Sequence, residues 1–180
     1  MKLPFDLIVL DLETSSDPDH RITEIGAVRL DRSLAIIDAF EHLVDGRPVT
    51  DEIVAITGIT NEMLEGQPKF DVVSKRFESW TRKLHDCERI CLAVWGAYYD
   101  IPVLRREYQR LGQPFPFPGH ALDIKSVAWW KMWRDKAIAD KATVAMACQH
   151  FGVKIEGNEH RALVDARAEA MILQKVMSCE

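Results

Sequence analysis

The apolar positions change period twice along the chain, and each change predicts a change of element. Asp6 to Leu12 (D-L-I-V-L-D-L) is a short apolar, β-branched run and predicts a central strand. Ser15-Ser16-Asp17-Pro18-Asp19 is a turn cluster. Ile22 to Leu30 and Leu34 to Val44 predict two further strands joined near Asp31-Arg32-Ser33, which makes an antiparallel meander. The period then becomes helical. Phe70, Val73, Phe77, Trp80 and Leu84 recur at spacings of three and four and mark one face of a helix. Arg89 to Trp95 predicts another strand. Ile101 to Leu111 predicts a helix with Val103, Leu104, Tyr108 and Leu111 as its stripe and Gly112 as its stop. Three prolines make Gln113 to Gly119 a loop, and Ala121 to Ile124 is a short strand edge. Lys125 to Trp133 and Ala142 to Phe151 predict helices. Leu163, Ala166, Ala170, Leu173 and Met177 mark a last amphipathic one, after a polar loop at Glu156 to Glu159.

Strands first, then helix and strand in alternation, give an α/β class. The expected architecture is a mixed five-stranded sheet, a three-stranded antiparallel meander plus parallel strands, with helices on both faces. The length of 180 residues and the 47% hydrophobic content fit one domain spanning 1–180. No internal repeat or linker composition divides it. Acidic Asp6 and Asp11 interrupt the first apolar stretch, so no secretory leader is expected, and no run is long enough for a membrane span. Cys87, Cys91, Cys148 and Cys179 form no C-x-x-C pair and are expected as reduced thiols, which with the missing leader predicts a cytoplasmic protein. A net charge of −5 excludes a protein that coats nucleic acid through bulk positive charge. It leaves room for an enzyme whose carboxylates are offset by bound cations.

The candidate chemistry starts with Asp11 and Glu13. Two residues apart on a strand, they point to one face while Leu10 and Leu12 point to the other. Such neighbours repel, and a divalent cation between them removes the conflict. Oxygen ligands suit hard ions such as Mg²⁺ or Mn²⁺. Asp100, in W-G-A-Y-Y-D after a strand, and Asp165, in H-R-A-L-V-D-A on the last helix, complete a set of four carboxylates with a histidine, His160, five residues before the last. Imidazole exchanges a proton near neutral pH, so His160 suits a general base.

In order along the chain, D-L-E-T at Asp11–Thr14 with E-I-G-A-V at Glu24–Val28, I-T-G-I-T-N-E-M-L at Ile56–Leu64, W-G-A-Y-Y-D-I-P-V-L at Trp95–Leu104, A-L-D-I-K at Ala121–Lys125 and H-R-A-L-V-D-A-R-A at His160–Ala168 resemble the motifs of the DEDDh, or DnaQ-like, 3′-5′ exonucleases. Trp95-Gly96 and the helix of Trp80 look closest to the enhanced-RNAi and KapD-type branch, although Gly96 stands where the DnaQ proofreading pattern carries Asn and Ser15-Ser16 where Thr-Gly is common.

The resemblance implies a ribonuclease H-like fold and hydrolysis of single-stranded nucleic acid, RNA slightly favoured over DNA, to nucleoside monophosphates. It implies two divalent ions, Mg²⁺ or Mn²⁺, held by Asp11, Glu13, Asp100 and Asp165, with Asp11 bridging and His160 as base. It places Thr14 on the terminal 3′-hydroxyl and Leu12 and Ile59 as wedges against the last bases, with core packing as the alternative for both. Tyr99 is expected at the mouth of the site or in the core. Partners are the 3′ ends of RNA or DNA, with a homodimer as a family expectation.

The competing readings are a proofreading exonuclease associated with a DNA polymerase, for which no tethering tail is expected after the last helix, and a catalytically silent nucleic-acid-binding module of the same fold. Trp129, Trp130 and Trp133 are expected as a core anchor, with a base-stacking platform or a dimer contact as alternatives. Lys131, Arg134, Lys136, Lys141, Arg105, Arg106 and Arg110 are expected as solvated charge, and Met171 and Met177 as core fillers. His20, His42, His85, His120 and His150 are assigned no role.

Overall fold

The computed structural model describes residues 3–15, 19–83, 90–135, 142–155, 157 and 160–178. Leu84, Arg89, Cys87, Cys179, His85, Lys136, Lys141, the turn residues Ser16, Asp17 and Pro18, and the loop residues Glu156, Asn158 and Glu159 lie outside them. The elements are β1 (Asp6–Thr14), β2 (Ile22–Leu30), β3 (Ile36–Leu43), α1 (Asp51–Thr57), α2 (Asn61–Leu64), α3 (Phe70–Thr81), β4 (Ile90–Val94), α4 (Asp100–Arg110), β5 (Ala121–Asp123), α5 (Ile124–Arg134), α6 (Val144–Phe151) and α7 (Ala162–Ser178).

The five strands lie in the order β3-β2-β1-β4-β5. β1 to β3 form the antiparallel meander, and β4 and β5 add in parallel to β1. This is the mixed sheet that the alternation of elements predicts, in a ribonuclease H-like arrangement. β1 sits at the centre, and its alternation sorts the two cores. Ile8, Leu10 and Leu12 face Val73, Phe77 and Trp80 of α3 and Val103, Leu104 and Tyr108 of α4. Leu7 and Val9 face Ala170 and Leu173 of α7 and Ile124 of α5. A further layer packs α5 and α6 on α7 through Ala128, Met132, Ala147, Cys148, Ile172 and Val176. Each fully buried large side chain here, such as Phe77 or Leu10, contributes about 1.5–3 kcal/mol of burial free energy. Cys91 and Cys148 are buried. No helix among the described residues is long and apolar enough to cross a membrane.

Away from the cleft, a buried ion pair fixes the start of β1. Arg29 donates from Nε and Nη2 to Asp6 Oδ2 at 2.9 and 2.7 Å, and from Nη1 to the Lys83 carbonyl at 2.6 Å. With its partner and a carbonyl both supplied, the buried guanidinium is satisfied.

Several expectations need correction. The strand drawn from Leu34 begins at Ile36, because Leu34 takes φ +68 in the turn that Asp31 closes. Residues 51–64, given no element from the sequence, hold the short helices α1 and α2. The three tryptophans of α5 do not anchor the core: Trp129, Trp130 and Trp133 are 44%, 55% and 53% exposed. The inward stripe of that helix is Ile124, Ala128 and Met132 at four-residue spacing, which turns the indoles outward. Met177 is 38% exposed, because Leu173 and Val176 take the inward places at that end of α7.

Candidate active site

The site forms where β1 outruns its parallel neighbour. β4 pairs with β1 only as far as Val9 opposite Ala93, so the residues of β1 beyond it present an open edge. After β4 the chain turns through Gly96 at φ +91, a conformation glycine adopts without steric cost, and enters α4 at Asp100. The nearly buried Asp100 carboxylate accepts a hydrogen bond from the Leu12 backbone N–H on that edge. Asp11 and Glu13 continue the face of Leu7 and Val9, towards α7.

α7 arrives from the other side. In the β1–β2 register Asp11 lies opposite Gly26 and Glu13 opposite Glu24. A Cβ at Gly26 would lie 2.1 Å from the Ala162 carbonyl carbon and the Leu163 nitrogen, so the start of α7 rests directly on glycine backbone. The fully buried Glu24 ties it down. Its carboxylate accepts from the Ala162 N–H at 2.9 Å and from the Arg161 guanidinium at 2.5 and 3.0 Å. A carboxylate suits the positive end of a helix dipole. Asp165, in the first turn, is thereby set down beside β1. An oxygen from each of Asp11, Glu13 and Asp165 lies within 4.8 Å of the others. Asp165 Oδ2 also accepts from the His160 N–H at 3.0 Å, holding that residue at φ +60.

These residues line one cleft of about 630 Å³ together with Leu12, Trp95, Tyr98, Tyr99, Asp100, Lys125, Thr143, Val144, Ile155 and Glu169. Asp100 stands outside the close triad but in the same cleft. Thr14 is adjacent, its Oγ1 2.9 Å from the Tyr99 hydroxyl. Tyr99 therefore sits at the mouth, and it also contacts His20 Nδ1 at 3.4 Å. Ile59 is not brought to the cleft. It is fully buried in a separate cluster with Val49 and Leu64, so its expected wedge against a base gives way to core packing. Arg110 is committed to Glu107 and to the Asp19 carbonyl, and Arg105 lies 4.1 Å over the Phe115 ring. His150, assigned no role, pairs with Asp135 at 3.1 Å.

The sequence reading missed Glu169. One turn after Asp165, it is 1% exposed, accepts from the Trp95 backbone N–H, and leaves Oε2 without a hydrogen-bond partner among the described residues. Its spacing of four from Asp165 was the available signal. Five carboxylates among the described residues thus share the cleft, and their protons show the strain. Burial first, then the Glu169 charge, holds Asp11 well above the usual carboxylate range. Glu13 is pushed up to about 8 by burial, then by Asp165 and Glu24, against the pull of Arg161. Asp100 is raised to about 7 by burial, against the Leu12 hydrogen bond. Burial and then Asp100 raise Glu169. An all-oxygen, mutually repelling donor set fits one or more hard divalent cations, which would return these groups to the ionised form.

A model of the Exonuclease family (RNase_T) matches residues 8–173. The chain is 29% identical over 172 residues to DNA polymerase III PolC-type of Clostridium perfringens, covering 94% of this chain and 11% of that protein. It is 26% identical over 178 residues to DNA polymerase III subunit epsilon of Buchnera aphidicola, covering 94% of this chain and 72% of the relative. The chain thus spans about a tenth of the length of the PolC-type relatives it matches. Among solved structures, the nuclease domain of 3′hExo, described as a DEDDh family member bound to rAMP, superposes with a TM-score of 0.82 at 19% identity, covering 96% of this chain and 91% of that one.

Proposed function

This chain belongs to the Exonuclease (RNase_T) family, and we propose that residues 1–180 act as one DEDDh-type domain that removes nucleotides stepwise from an unpaired 3′ end. The observation that carries this reading is the convergence of Asp11, Glu13 and Asp165 within 4.8 Å, with Asp100 and His160 on the same cleft. A silent binding module would gain nothing from so much repulsion.

Each residue has a part. Asp11, Glu13 and Asp165 would hold one divalent ion, Mg²⁺ or Mn²⁺, and Asp100 with Asp11 a second. Such ions supply an acidified water and charge neutralisation at both the attacking and the leaving oxygen of a phosphodiester displacement. His160, clasped through its backbone to Asp165, takes the remaining proton from the attacking water. Thr14, positioned by its hydroxyl contact with Tyr99, receives the terminal 3′-hydroxyl. Leu12 offers apolar contact to the last base, which is tolerant of base identity. The products are nucleoside monophosphates.

End-labelled single-stranded RNA and DNA, with free or blocked 3′ ends, test this in Mg²⁺ or Mn²⁺. Stepwise shortening that a chelator or a 3′ block abolishes is expected. Internal cutting, or no cutting with either metal, would overturn the reading. The ratio of rates on matched RNA and DNA decides the sugar, where the branch resemblance leans to RNA. The polymerase III relatives favour a second reading, proofreading. That reading requires a mispaired primer terminus to be removed faster than a paired one.

A further inference from the structure

We propose that the exposed indoles of α5 form a stacking track for the part of the substrate strand that lies 5′ of the nucleotide held in the cleft. Trp129, Trp130 and Trp133 all face solvent, and Trp130 and Trp133 stack on each other with ring centres 5.2 Å apart and planes 25° from parallel. Three large aromatic surfaces stand on eleven residues of helix whose core contacts are already made by Ile124, Ala128 and Met132. Packing among the described residues does not account for them.

Their place in the fold says what covers them. Lys125 lines the cleft, its ammonium 3.4 Å from the Tyr98 hydroxyl and 5.5 Å from the centre of that ring, and Tyr98 is 73% exposed. Trp129 and Trp133 follow Lys125 by four and eight residues, so the three form one ridge. The indoles lie about 6 and 12 Å from Lys125 along the helix axis. About 12 Å is the length of three to four stacked nucleotides at roughly 3.4 Å each. The helix carries Lys125, Lys131 and Arg134 and no acidic residue, in a chain of net charge −5, although Lys131 shares its charge with Asp135 at 3.5 Å. An aromatic, cationic ridge that begins inside the cleft fits a polyanion with unpaired bases.

The inference rests on the exonuclease reading, and substrate length separates the two. The KM of a dinucleotide and of an octanucleotide is measured for the wild type, Trp130→Ala and Trp133→Ala, with circular dichroism as a check on folding. The wild type is expected to favour the octanucleotide. Each substitution should shrink that advantage by about tenfold, the loss of one base–indole stack. Octanucleotide binding under chelation should also quench indole fluorescence, and less so in the variants. If the wild type cleaves neither length, the exonuclease reading fails and takes the track with it. If it cleaves both and the variants keep the full octanucleotide advantage, the track alone is overturned. Conversion of a dimer to a monomer by Trp133→Ala with that advantage intact likewise overturns it, in favour of self-association.

Discussion

His160 illustrates how one residue divides labour between backbone and side chain. Its N–H is spent on Asp165 at 3.0 Å and its φ of +60 leaves the imidazole exposed at the cleft. His160→Ala keeps the backbone clasp and removes only the side chain proposed as proton acceptor. It is expected to lower kcat by about 10²- to 10⁴-fold, with KM and Mn²⁺ affinity within twofold of wild type. Steady-state kinetics and a calorimetric Mn²⁺ titration check this, and loss of metal affinity would show that His160 acts as a ligand instead. That Asp11, Glu13, Asp100, His160 and Asp165 would meet on one cleft was legible through their resemblance, in order along the chain, to a family's motifs; two carboxylates on one strand face say little alone. Glu169 was not legible. A glutamate one turn from another acid is ordinary on a solvated helix, and only its burial against Trp95 sets it apart. Ile59 stayed open between a wedge and core packing for the converse reason. An apolar residue in a motif gives no sign of which surface it packs on, and contacts with Val49 and Leu64 decided it.

At the scale of elements, the site depends on how closely α7 approaches the sheet. Gly26 lets helix backbone lie where a methyl group would be 2.1 Å from it, and Glu24 caps the same end from the same strand. Gly26→Ala must therefore push α7 off β2, carrying Asp165 away from Asp11 and Glu13. A cost of about 2–3 kcal/mol is expected from the overpacking, seen as a Tm lower by roughly 5–10 °C. Mn²⁺ affinity should fall with it, and a folded Gly26→Ala protein with normal affinity would refute this account of the landing. The strands and long helices were legible because their periods repeat. α1 and α2, seven and four residues long, are too short to show a period. The α5 indoles point outward, against the expected core anchor, because the Ile124, Ala128, Met132 stripe holds the inward face. The approach of α7 to Gly26 is a long-range event that no local pattern encodes.

Over the whole molecule, the fold holds its acidic cluster at the end of β1 at a cost to its own stability, and pH sets that cost. Glu13 moves from an ordinary 4.5 to about 8, and Asp100 from 3.8 to about 7. Both are raised, so the metal-free folded state binds more protons than the unfolded chain between those values. Stability is then fully present below about pH 4 and declines as pH rises through 7 and 8. In chelator, Tm is expected to fall by on the order of 5 °C between pH 5 and pH 8.5. A divalent ion reverses the slope, because it binds the ionised carboxylates and competes with their protons. At about a hundred times its Kd it adds about 2.7 kcal/mol, and the added stability should be greatest at pH 8.5 and nearly absent at pH 5. Thermal melts with and without Mn²⁺ across that range measure both slopes. A metal-free Tm that rose with pH through neutrality would mean that these carboxylates are not crowded as the structure has them, and the metal-binding role would lose its physical basis.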